Sequence, residues 1–167
     1  MTDHRDWEQS LRARDGGSCR DINFSEHLSR ETALGVLEAV RNEWTLSSAI
    51  DQDDVQTSQE DLSNRIGVGT GAVLSRWHGG SFLQHLRCYL YWHPADRIFC
   101  ELTFFPDDII GNDLFVRKLT DFLSKILIST HSSEYYVRYE NASWRHGDHS
   151  GDSGVIFSHH SLPLGGG

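Results

Sequence analysis

The chain has few cysteines, few basic residues and no long apolar run. Each shortage removes a class of function. Three cysteines among 167 residues, Cys19, Cys88 and Cys100, make an odd number with no C-x-x-C spacing. A disulfide scaffold and a cysteine zinc site are both excluded, and buried free thiols are the expectation. No apolar stretch approaches the ~20 residues that span a bilayer. The first seventeen residues, MTDHRDWEQSLRARDGG, have no apolar centre and so do not read as a secretory signal, which points to the cytoplasm. Fifteen bases stand against 24 acids, a formal charge of -9. Nucleic-acid binding and adhesion to an anionic membrane need the opposite balance. A basic protein partner suits it.

What is present supports one folded domain. Aromatic residues make up 11% of the sequence, too many for a disordered chain. Residues 1–20 are polar and aperiodic and read as a flexible lead-in. Residues 21–164 read as a single α+β domain, and Gly165–Gly167 as a tail. "INF" at 22–24 suggests a short strand. Ser29 is a helix cap before a stripe of Ala33, Val36, Leu37, Val40 and Trp44. "EWTLSSAI" suggests a strand. The acidic connection 51–66 that follows is a loop, or a short helix starting near Ser58. "GVGTGAVLSRWH" has glycines without the lysine of a phosphate loop or the flanking elements of a dinucleotide loop, so it reads as a strand.

The strongest signal is "FLQHLRCYLYWH" followed by "RIFCELTFFP" across Pro94-Ala95-Asp96. Alternation predicts an antiparallel hairpin in which Trp92 faces Ile98, Leu90 faces Cys100, Cys88 faces Leu102 and Leu86 faces Phe104. The reverse face carries Arg87, Tyr89, Tyr91, Phe99, Glu101 and Phe105. So aromatic a face should be covered by a helix or loop, or else meet a partner. Asn112 and Asp113 suit the start of a second helix, with Phe115, Leu119, Phe122, Leu123 and Ile126 as its apolar stripe. "EYYVRYENASW" and "GVIFSHHSLPL" supply two further strands. The fold class is α+β, a mostly antiparallel sheet with two main helices on one face.

Residues 146–154, HGDHSGDSG, hold the densest polar chemistry. Gly151–Gly154 spells the nucleophile signature of chymotrypsin-like proteases. The chain lacks that family's histidine context and is too short for two barrels, so the match is a coincidence of four letters. Glycines and side-chain turns at Asp148, Ser150 and Asp152 fit a long hairpin connection. The alternative is a metal set of His146, Asp148, His149, Asp152 and His160, serving a metal-dependent hydrolase. Strand alternation would send His159 and His160 to opposite faces, leaving only one for such a site.

With no triad, phosphate loop or acid–base pair, the reading is a non-catalytic binding protein without a cofactor. Two acidic groups are candidate partner surfaces: Asp51, Asp53, Asp54, Glu60 and Asp61 in the connection, and Asp107 and Asp108 before the second helix. Tyr89 and Tyr91 are further candidates, as part of an interaction module on the aromatic face. In size, acidity, lack of targeting and strand-rich body with acid clusters, the chain resembles the immunity proteins of bacterial polymorphic-toxin and contact-dependent inhibition systems. The resemblance covers the whole chain and rests on no motif, so no residue role follows from it. It implies a protein partner, a cognate toxin domain of basic character, blocked by binding.

Overall fold

The computed structural model describes residues 4–15, 17–93, 96–111 and 114–161. The elements run α1 (His4–Arg12), β1 (Arg20–Asn23), α2 (Arg30–Glu43), β2 (Thr45–Asp51), α3 (Gln59–Arg65), β3 (Gly71–His78), β4 (His85–Trp92), β5 (Ile98–Phe104), α4 (Phe115–Thr130), β6 (Tyr136–Tyr139) and β7 (Val155–Ser158). Seven strands form one antiparallel sheet in the order β2-β3-β4-β5-β1-β6-β7. The domain is α+β, as its sequence indicates.

The β4–β5 hairpin has the register that alternation demands. Trp92 pairs with Ile98, Leu90 with Cys100 and Cys88 with Leu102, and the ladder closes at Arg87 and Thr103, one position short of Leu86 and Phe104. All four β4 residues that face inward are buried, as are Ile98, Cys100, Leu102 and Phe104. The three thiols are free and buried. Contact with Cys88, then burial, raises the Cys100 thiol well above its ordinary range.

The helices cover this apolar face. Ser29 caps α2 by accepting the Thr32 N–H, and its expected stripe from Ala33 to Val40 is buried. Trp44 sits edge-on to Phe82 and Phe122, with ring centroids 5.3 and 5.2 Å away, and donates to the Leu83 carbonyl. A side chain at Gly80 would strike this indole: its Cβ would fall 2.0 Å from Trp44 Nε1. From α4, Phe115, Leu119, Phe122, Leu123 and Ile126 complete the core. The expected cap at Asn112 and Asp113 lies outside the described residues.

Two helices join the expected pair. Ser58 caps α3, whose Leu62 enters the core along with Ile66, its C-cap. Within the expected lead-in, His4–Arg12 form α1. Trp7 and Leu11, one turn apart on α1, are buried, and Trp7 stacks on Phe157 with centroids 4.8 Å apart. Arg20 holds this segment from β1. Its guanidinium is fully buried and donates to the carbonyls of Ser10, Ala13, Asp15, Gly17 and Cys19, while lying over the Tyr139 ring at 4.7 Å. Burial lowers its pKa, and the five carbonyls replace the lost water. Two buried apolar residues and one buried arginine thus fix a stretch whose composition is that of a loop.

Candidate functional site

The four helices lie on one face of the sheet, so the reverse face is the one free to meet another molecule. It divides into two halves. Across β1, β5 and β6, the polar side chains Asp21, Asn23, Glu101 and Arg138 meet. Arg138 Nη2 lies 2.9 Å from Glu101, its Nη1 lies 3.5 Å from Asp21, and its Nε donates to Asn23 Oδ1 at 2.8 Å. Residues 140–154 fold over this network. The Trp144 ring lies against the Arg138 guanidinium at 5.0 Å and packs tilted against Tyr136 with centroids 5.1 Å apart, and His146 bonds the Phe24 carbonyl at 3.0 Å. Burial, then the charge of Asp21, raises the Glu101 pKa, while Asn23 and Arg138 partly offset that.

Across β3, β4 and β5 nothing covers the face among the described residues. Tyr89 and Tyr91 are 38% and 44% exposed. Phe99 packs edge-on against Tyr89, centroids 6.3 Å apart. The expected cover is therefore present over half of the face and absent over the β4 tyrosines. At the far end of this half Arg76 stands opposite Arg87 in the β3–β4 ladder, both exposed. Arg87 lies over the Phe105 ring at 5.0 Å, and neither arginine has a carboxylate partner among the described residues. Two cations directly opposed across a ladder destabilise it, so this end invites an anionic group from outside.

The acidic connection does not act as one patch. Asp51 is buried. Its Oδ1 accepts the backbone N–H groups of Asp53 and Val55 at 2.9 and 3.0 Å, and its Oδ2 pairs with Arg65. These contacts, Arg65 first, hold its pKa below the usual carboxylate value. Asp51 therefore shapes the loop that presents its neighbours. Asp53, Asp54, Glu60 and Asp61 are exposed. Asp53 and Asp61 line an open cleft of about 510 Å³ with Arg65, Val68 and Trp92. Gln52 accepts the Ala72 N–H at 3.2 Å, and Ala72 lies opposite Tyr91, so the acidic rim and the tyrosines meet at one edge of the sheet.

The second acidic group splits likewise. Asp107 is exposed and pairs with Arg14 at 3.0 Å. Asp108 caps its own turn by accepting the Phe105 N–H at 3.1 Å, and bonds His85 Nδ1 at 2.9 Å.

The 144–154 stretch joins β6 to β7 as a hairpin connection. Asp148 accepts the Ser150 N–H and Ser150 accepts the Asp152 N–H, both as side-chain turns. Gly154 has φ 94°, and its Cβ would fall 2.6 Å from Ala142 Cβ. The Ser153 hydroxyl bonds Asp148, and no described histidine bonds it. Of the suggested metal set, His149 and His160 come together and are joined by His159, while His146, Asp148 and Asp152 are not in that group. His159 and His160 do not alternate, because β7 ends at Ser158. The chain turns there, with Ser161 N donating to the Ser158 carbonyl at 2.9 Å.

No family model matches this chain, and no curated protein matches it. Among solved structures it is similar to a chain of the 1.75 Å crystal structure of the toxic C-terminal tip of CdiA from Pseudomonas aeruginosa in complex with immune protein. The TM-score is 0.58 at 15% identity, over 88% of this chain and 97% of that one. The shared property is the fold. No described helix is long and apolar enough to cross a membrane.

Proposed function

We propose that this chain is an immunity protein that binds a cognate bacterial toxin domain and inhibits it without catalysis. The uncovered tyrosine pair of β4 carries the reading. A folded monomer gains nothing by presenting two neighbouring rings on a bare sheet face, whereas aromatic anchors dominate protein interfaces. Charge sets the partner's orientation. Asp53, Asp54, Glu60 and Asp61 call for basic groups on the toxin domain near the β2–α3 connection. Arg76 and Arg87 call for an acidic group at the opposite end of the face. Such a two-sign pattern gives register as well as attraction. The non-catalytic part rests on the binding-protein class that the sequence resembles and on the fold shared with a chain of a toxin–immune protein complex.

The experiment is co-expression with the C-terminal domain of a toxin encoded beside this gene. Restored growth and a stoichiometric complex on gel filtration are expected. A toxin domain that stays lethal and elutes alone refutes the reading.

A further inference from the structure

His149, His159 and His160 come from two segments that meet only through the fold. One ligand atom from each lies within 4.8 Å of the others. His149 stacks on His160 with centroids 4.0 Å apart and planes 5° apart, and His159 meets both rings edge-on at 5.1 and 4.4 Å. Two of the three rings are oriented by their Nδ1 atoms. His149 Nδ1 bonds Ser158 Oγ at 2.6 Å, and His159 Nδ1 lies 3.2 Å from both the N–H and the carbonyl of Tyr135. Both rings therefore keep Nε2 free of hydrogen bonds to described residues. In the tautomer that donates Nδ1–H to Ser158 Oγ and the Tyr135 carbonyl, each ring offers Nε2 to a metal, the outer-shell arrangement that fixes a histidine for ligation. Tyr136 closes the far side of His149 at 5.2 Å, and its hydroxyl accepts the Gly147 N–H at 2.9 Å and donates to Glu134 at 2.7 Å. The loop that carries His149 is thereby held in place despite its glycines.

We propose that His149, His159 and His160 form a binding site for a divalent transition-metal ion of the zinc type, which clamps residues 146–154 to the end of β7. Three imidazoles suit a borderline ion and disfavour magnesium or calcium, which prefer oxygen. Zinc binds imidazole at about 2.0 Å, so tetrahedral ligands stand roughly 3.3 Å apart. The ligand atoms must close by about 1.5 Å, and the His160 ring must turn out of its parallel stack on His149, because an imidazole lone pair lies in the ring plane. His160 can supply this, because it is exposed and its ring makes no hydrogen bond to a described residue. A fourth position is left for water or for a side chain of another molecule.

The test is isothermal titration of untagged, chelator-stripped protein with zinc sulfate at pH 7.5, with magnesium as a control. One ion per chain at micromolar affinity or better is expected, with a rise in Tm on zinc addition and none on magnesium. His160→Ala should fold normally by circular dichroism, weaken zinc binding at least tenfold and abolish the Tm rise. Cobalt substitution should give the visible bands of a nitrogen-ligated ion, lost in the same variant. No uptake of zinc up to millimolar concentration overturns the proposal, as does binding that His160→Ala and His149→Ala both leave unchanged. The site is independent of toxin binding, so zinc uptake and complex formation can fail separately.

Discussion

Replacing Tyr89 and Tyr91 together by alanine separates a binding surface from a structural one. Each ring leaves roughly two-fifths of its surface in solvent. With a full tyrosine surface of about 200 Å², that is roughly 80 Å² each. At ~25 cal/mol per Å² a partner covering both rings would gain at most about 2 kcal/mol from each. Part of that gain goes to ordering and imperfect fit, so a loss of affinity between tenfold and a thousandfold is expected for the pair. The cost to the fold is of similar size, because the buried three-fifths of each residue, roughly 120 Å², is worth up to about 3 kcal/mol by the same coefficient, which makes the thermal melt an essential companion measurement. Tyr89 loses an edge-on contact with Phe99, about 0.5–1.5 kcal/mol, and Tyr91 projects from the same strand face. Surface plasmon resonance against the toxin domain, with thermal melts alongside, reads both effects. Ile128→Ala is the control, since Ile128 is 76% exposed on α4, on the helical side. A folded double variant that binds as tightly as wild type, or as tightly as Ile128→Ala, refutes the assignment of this face.

Arg20→Met strips five carbonyls of their donor and frees α1, so a loss of roughly 2–4 kcal/mol is expected, read as a Tm drop of about 5–15 °C and increased exposure of Trp7 by fluorescence. Asp51→Ala should lower Tm, because it undoes the 51–55 turn and the Arg65 pair, whereas Asp53→Asn with Asp54→Asn should leave Tm unchanged and slow association with the partner in a salt-dependent way. Asp54 already has a left-handed backbone, φ 58°, which asparagine tolerates. The pKa values of Asp51 and Glu140 are both lowered, Asp51 by Arg65 first and Glu140 by the Ser18 N–H first. The folded state therefore binds fewer protons, so their stabilisation is present above the usual carboxylate range and is lost as pH falls through about 4 and below. Hydrogen exchange at pH 7 and pH 3.5 should show residues 17–19 and 51–55 losing protection on acidification.

The parts of the fold that sequence conveys are those fixed by local period. The β4–β5 register follows from two alternating runs and a short turn, because a slip of one residue would expose Leu86, Cys88, Leu90 and Trp92 together. The stripe of α2 follows from its 3.6-residue spacing and its Ser29 cap. What eludes sequence is long-range. Four residues, Arg20–Asn23, insert between β5 and β6, far from both along the chain. Among their polar members, Asp21 and Asn23 look like loop residues until Arg138 and Glu101 are placed beside them. The helix α1 has only Trp7 and Leu11 to signal it, and its third anchor, Arg20, is a residue type that composition assigns to the surface.

The site follows the same division. Tyr89 and Tyr91 are visible as odd members of an outward face, because alternation alone decides which way they point. Whether that face is bare cannot be read locally, since the segment that covers its other half starts at Glu140. Only folding brings Trp144 over Arg138. The acidic connection shows the converse error. Asp51, Asp53 and Asp54 are equal as letters, yet Asp51 ends a strand, where its carboxylate can reach the N–H groups of residues 53 and 55. One of three equivalent charges thereby becomes part of the scaffold that presents the other two. The histidines are misjudged for a related reason. Alternation holds while pairing holds, and pairing stops at Ser158. Beyond it the chain turns, and His159 and His160 converge on His149 instead of parting.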